Sequence, residues 1–119
     1  MGSNKINWIV GEVIYKLGEE AQYAYLLTDG EVEIISKNGT KVGFINKNEV
    51  FGEQSIILNT KRTVTAIARL KSTAVAIPKI ILINDYKNSP FLIQAVLRST
   101  YVRLTNLSST LKDDLKSLE

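Results

Sequence analysis

The chain has no cysteine and no histidine among its 119 residues, and those two absences remove whole classes of chemistry. Without thiols there are no disulfides, thiolate clusters, iron–sulfur ligands or cysteine nucleophiles. Without imidazole there is no histidine-ligated zinc, no histidine-held haem and no Ser-His-Asp triad. A metal site would need carboxylates and carbonyls alone, and no acidic spacing suggests one. Neither a metal, a cofactor nor a catalytic residue is therefore expected. No apolar run approaches the length needed to span a bilayer, and the chain opens with no signal-peptide pattern. The expected location is cytoplasmic, without membrane contact by this segment. Net charge is only +3, and no dense Lys/Arg cluster of the kind that grips nucleic acid is present. What survives is binding rather than catalysis.

A hydrophobic fraction of 45% and a charged fraction of 23% are ordinary for one globular domain. Met1-Gly2-Ser3 reads as a tag remnant, and residues 1–10 as that remnant plus a lead-in segment with Trp8 as a packing anchor. From Gly11 the pattern is strand, turn, strand. Glu12–Tyr15 and Gln22–Thr28 read as strands, the second apolar on both faces and so covered on both sides. Asp29-Gly30 and Asn38-Gly39 are hairpin signals flanking the alternating strand Glu31–Ile35, with Thr40–Ile45 as the return strand. Asn48 suits a left-handed turn position. Thr63–Ala68 and Thr73–Ile77 are rich in strand formers and close the series before Pro78. Many short strands at even spacing point to an antiparallel barrel or jelly roll over residues 11–78.

The period changes after Pro78. Lys79–Tyr86 suits a short helix, and Ser89-Pro90 reads as an N-cap followed by proline at the first helical position. No proline or glycine follows to Glu119, so one helix of roughly 45 Å is expected. Leu97, Tyr101, Leu104, Ser108, Leu111, Leu115 and Leu118 recur in alternating steps of four and three, a heptad seam suited to pairing with a second copy. The other possibility is packing of its first half on the barrel. Residues 79–119 thus read as a short hinge helix and a long lid or dimerisation helix.

Chemistry interrupts this pattern at 51–63. Gly52 removes a side chain where a ligand could approach backbone amides. Glu53 can accept hydrogen bonds from hydroxyls, and Arg62 offers a planar fork of donors suited to a phosphate. Such a stretch is either a cradle for a small, singly charged, hydroxyl-bearing anion or a turn whose Glu53 and Arg62 pair together or face water.

Phe51-Gly52-Glu53, the apolar run Ile56-Ile57-Leu58, the polar loop Asn59-Thr60-Lys61 and then Arg62, set after a β-roll and before two helices, resemble the phosphate-binding cassette of the cyclic nucleotide-binding domain. Gly11, Gly18 and Gly30 match that family's early turns. The resemblance implies an antiparallel β-roll (double-stranded β-helix or jelly roll) followed by a short and a long helix. It also implies a cyclic-nucleotide ligand, cAMP first and cGMP as the alternative; Thr63, just after Arg62, occurs with both and does not decide between them. Glu53 would accept from the ribose 2′-hydroxyl and Arg62 would pair with the cyclic phosphate. Gly52, Gln54, Ser55, Thr63 and Val64 would complete the cassette, with Arg103, Leu104, Leu107 and Ser108 as lid candidates. The chain departs at Lys61, where the family has proline, at Asn48 for a turn glycine and at Ser55 for alanine.

The implied function is a sensor whose C-terminal helices transmit binding, as a homodimer or within a larger protein whose effector is not encoded here. Two other classes stand beside it. One is a dimerising scaffold of the same fold without nucleotide. The other is a cupin-like enzyme, disfavoured by the missing histidines.

Overall fold

The computed structural model describes residues 4–117, with side chains described through residue 104. Eight strands precede the long helix: β1 (Lys5–Trp8), β2 (Val13–Tyr15), β3 (Tyr23–Asp29), β4 (Val32–Ile35), β5 (Lys41–Ile45), β6 (Val50–Phe51), β7 (Thr65–Ala68) and β8 (Ser72–Pro78). The helices are α1 (Gln54–Ile57), α2 (Lys79–Asn88) and α3 (Phe91–Ser117). The strands form two four-stranded sheets, ordered β1-β8-β3-β6 and β2-β7-β4-β5, and every pairing is antiparallel. This is the expected β-roll with C-terminal helices.

The core lies where the two sheets face each other. Trp8, Tyr25, Phe51 and Ala74 come from one sheet, and Tyr15, Val32, Ala66 and Ala68 from the other. Leu27 and Val32 are wholly buried, each contributing about 1.5–3 kcal/mol of hydrophobic stabilisation. Alanines at 66, 68 and 74 leave room for the rings, so small and large side chains alternate across the interface. A second cluster joins Ala21, Ala24 and Ile56 to Ile77, Leu82 and Ile83. It covers the other face of β3, as the doubly apolar pattern of that strand requires.

Three expectations are corrected. Residues 5–8, read as lead-in, form an edge strand: Lys5 pairs with Val75 and Trp8 with Ser72. Asp29-Gly30 makes no hairpin, because β3 pairs with β8 and β6 whereas β4 pairs with β5 and β7. There the chain crosses between sheets, and the left-handed Gly30 (φ +97°) makes the turn. Asn38-Gly39 does close a hairpin, between β4 and β5. Ser89 is not the N-cap of α3: the helix begins at Phe91, so Pro90 is its flanking residue, and the Ser89 hydroxyl donates to Tyr86 O at the end of α2, at 2.6 Å.

The chain divides into two compact units, one ending at Asn84 and one beginning at Asp85. In the second, Gln94 Nε2 donates to the carbonyls of Lys87 and Ser89 and ties the two helices together. On α3, Leu97 and Tyr101 are half-buried and Leu104 is exposed. The remainder of the expected seam, from Ser108 to Leu118, lies outside the residues whose side chains are described. No helix among the described residues is long and apolar enough to cross a membrane.

Candidate ligand-binding site

The stretch from 51 to 63 begins where β6 ends. Gly52 has φ +79°, a conformation glycine reaches without strain, and the turn delivers Glu53 to the N-cap of α1. Glu53 makes no side-chain capping bond there, so its carboxylate is not spent on the helix. The helix ends at Leu58, and Asn59 (φ +55°) takes a left-handed position that asparagine tolerates. Thr60 N then donates to Ser55 O at 2.8 Å, and this tight return brings the chain round to Arg62. Asn48, likewise left-handed at φ +73°, turns the chain just before β6.

Arg62 is clasped by the loop between β2 and β3. Its backbone N–H donates to Glu19 O at 2.8 Å, and its carbonyl accepts from Gly18 N at 2.7 Å. The side chain is only 4% exposed. Its Nη1 donates to Gly52 O at 2.6 Å and its Nη2 to Tyr23 O. The guanidinium carbon lies 3.9 Å from the centre of the Tyr15 ring. Among the described residues no carboxylate forms an ion pair with it. Arg62 thus neither pairs with Glu53 nor faces water.

Three buried side-chain polar atoms lack a hydrogen-bond partner among the described residues: Glu33 Oε1, Glu53 Oε2 and Arg62 Nε. The first sits 3.1 Å from Lys41 Nζ in an ion pair. The other two are an acceptor and a donor of the same loop. Burial pushes the Glu53 carboxyl above its ordinary range, against the opposing pull of a backbone N–H and the Arg62 charge. Burial likewise lowers Arg62, opposed by Tyr15, Tyr25, Glu53 and Glu19. The Tyr15 phenol is pushed up to about 12, mainly by burial, with Arg62 opposing. Each shift has desolvation as its largest cause, the signature of a water-poor site.

A cavity of about 160 Å³ opens beside the loop. Gly52, Glu53, Gln54, Ser55, Thr63 and Val64 line one part of it, and Tyr15, Ile34, Ile45 and Val50 supply most of the rest. Arg62 is not in the lining, but its guanidinium rests against Gly52 and Tyr15, which are. The structure therefore gathers all seven expected cassette residues. A larger open groove of about 460 Å³ lies along Tyr23, Pro78 and Ile80. None of the residues with unpartnered atoms lines it, whereas Glu53 lines the smaller cavity. Lys61 is exposed and 4.0 Å from Glu20. Arg103 and Leu104 are exposed positions on α3, and the side chains of Leu107 and Ser108 lie outside the described residues.

Sequence reasoning missed Tyr15, and with it the carbonyls of Gly52 and Tyr23. No local signal marks them: Tyr23 O is 39 residues from the arginine it serves, and a tyrosine ending a short strand reads as core.

A sequence model of the cyclic nucleotide-binding domain matches residues 8–84. The chain is 34% identical over 62 residues to a cGMP-dependent protein kinase of Plasmodium berghei, covering 52% of this chain and 7% of that protein. It is 38% identical over 58 residues to a cAMP-dependent protein kinase regulatory subunit of Yarrowia lipolytica, covering 49% and 15%. The chain thus spans a small part of the length of either relative. An EAL enzyme solved in a cGMP-bound form superposes with a TM-score of 0.80 at 20% identity, over 94% of this chain and 31% of that one. At that identity the likeness is one of fold.

Proposed function

Because this chain belongs to the cyclic nucleotide-binding domain family, we propose that it is a cyclic-nucleotide sensor. It would take cAMP or cGMP at the 51–63 loop and transmit binding through α2 and α3. One observation carries this reading: the loop buries an unpartnered donor, Arg62 Nε, beside a cavity that also holds an unpartnered acceptor, Glu53 Oε2. Buried polar groups are costly when unmet. A ligand that relieves both must accept at one point and donate at another. A cyclic phosphate with a ribose hydroxyl does both.

In this reading Arg62 Nε donates to the phosphate and Glu53 accepts from the ribose 2′-hydroxyl. Backbone amides around Gly52, Glu53 and Thr63 add donors, and the Ser55 hydroxyl is a further one. One positive side chain matches the single charge of a cyclic phosphate. Ile34, Ile45 and Val64 offer apolar surface for the rest of the nucleotide. Thr63 places a hydroxyl at the cavity for either base. The relatives named for cGMP and for cAMP support both ligands equally.

Transmission is supported by the second apolar cluster. Ile56 of the cassette helix packs in one group with Leu82 and Ile83 of α2, so a shift of α1 is felt there. The ligand biases this equilibrium only by its differential affinity for the two arrangements. Arg103, Leu104, Leu107 and Ser108 remain the lid candidates. The α3 seam would meet a second copy or an effector.

Titration calorimetry with cAMP and with cGMP tests the proposal. Saturable heat with either supports it, and none with both sinks it. One observation favours the second reading, a nucleotide-free scaffold: both terminal guanidinium nitrogens already donate to backbone carbonyls.

A further inference from the structure

Tyr15 stands outside the 51–63 loop, yet it touches both things that loop must control. Its ring face lies 3.9 Å from the Arg62 guanidinium carbon, and the residue lines the cavity beside Gly52. The ring is itself held fast. It stacks on Phe51 with centroids 6.3 Å apart at 29°. Phe51 stacks on Tyr25 at 5.3 Å and 30°, and Trp8 closes edge-on against Tyr25 at 5.3 Å and 78°. Four aromatic side chains thus run from the core to the arginine.

The arginine needs such a fixture. Its charge is buried without an ion pair among the described residues. The bonds from Nη1 to Gly52 O and from Nη2 to Tyr23 O fix the guanidinium within its own plane. They resist tilting out of that plane poorly, because carbonyl acceptors allow a broad range of approach. A ring face supplies the missing constraint, and its negative quadrupole offsets part of the buried charge. Gly52 completes the slot. A β-carbon there would lie 3.0 Å from Arg62 Nη1 and 3.3 Å from Tyr15 Cε2, so there is no room for one without moving the pair.

We propose that Tyr15 is a positioning residue of the anion site: its ring face holds the Arg62 guanidinium so that Nε, the guanidinium nitrogen without a partner among the described residues, is kept for a bound phosphate. The proposal rests on the cyclic-nucleotide reading of the same cavity, and its test separates the two.

The first arm needs no ligand. In the NMR spectrum of the parent chain, the Arg62 Hε signal is expected upfield of those of the other arginines, shielded by the ring. Tyr15→Phe retains the shielding and Tyr15→Leu abolishes it. The second arm is calorimetric titration with cAMP. Tyr15→Leu weakens binding by roughly ten- to thirty-fold, as loss of a desolvated cation–π contact implies. Tyr15→Phe recovers most of that loss, and in an Arg62→Ala background Tyr15→Leu has little further effect. Tyr15→Met, which lacks the ring, replaces Tyr15→Leu if the latter does not fold. An unshielded Hε in the parent overturns the proposal. So does an equal loss of affinity with and without Arg62, which would make Tyr15 a wall of the cavity only. A shielded Hε in a parent that binds no cAMP or cGMP supports the hold on Arg62 and overturns the nucleotide reading instead.

Discussion

Gly30 and Gly52 are both left-handed glycines whose backbone presses on a buried polar side chain, yet the two places end in opposite states. At Gly30 the neighbour is Ser72, 1% exposed. Glu31 N donates to its Oγ at 3.2 Å, and the hydroxyl donates to Leu70 O at 2.8 Å. Every need is met internally, where the chain crosses from one sheet to the other. At Gly52 the neighbour is Arg62, 4% exposed. Its two terminal nitrogens are met, but Nε and the nearby Glu53 Oε2 are not. Burial and a left-handed glycine therefore mark a close approach, not a site. The two unmet groups on one loop are what set the candidate site apart.

Substitutions at the two places test this difference. The largest effect is expected at the crossing. In Gly30→Ala the new β-carbon would collide with Ser72 Oγ and come within 2.6 Å of Lys71 O. Left-handed strain and overpacking together should cost roughly 2–5 kcal/mol of stability, read from denaturant midpoints. A loss below about 1 kcal/mol would mean that the crossing relaxes and is no fixed point. Next comes Arg62→Ala, expected to weaken cAMP binding by roughly 1.5–3 kcal/mol, the range for a hydrogen bond to a charged group. Unchanged affinity by calorimetry would place the phosphate elsewhere. Ser72→Ala should cost about 1 kcal/mol of stability, the net worth of one buried hydrogen bond, while leaving nucleotide affinity intact. Altered affinity there would couple two places that the contrast separates.

The smallest effect is at Glu53. Its folded-state pKa is raised above the ordinary 4.5, mainly by burial, so the folded chain holds its proton more tightly than the unfolded chain. Ligand-free stability should then fall as pH rises from 4.5 through the raised value. Glu53→Gln removes this penalty. The variant should be more stable than the parent at about pH 7, with the advantage gone by about pH 4. A pH-independent difference in parallel denaturation curves would mean that burial of the carboxylate is not its origin.

How much of this was legible in the sequence depended on how local the cause was. Asp29-Gly30 and Asn38-Gly39 carry the same turn chemistry, but only the second closes a hairpin. A dipeptide encodes φ, not the identity of the next strand's partner. β1 is not legible as a strand because so short a segment shows no period, and its pairing with β8 reaches across most of the roll. The cassette was legible because Gly52 to Ser55 and Thr63-Val64 are nearly contiguous, so one loop carries them to one cavity. Tyr15 was not, since a ring under a distant guanidinium leaves no trace in spacing. Ser89 has the right residue type for a cap, but α3 starts one residue later than the Ser-Pro signal places it.

If Glu53 and Arg62 each meet one group of the same ligand, a calorimetric comparison of cAMP with its 2′-deoxy analogue on the parent and on Glu53→Gln will separate the two groups. Removing the hydroxyl should weaken binding to the parent by roughly ten- to a hundred-fold, because a buried charged acceptor is left unmet. It should matter little to Glu53→Gln. Equal losses on both proteins would contradict the account.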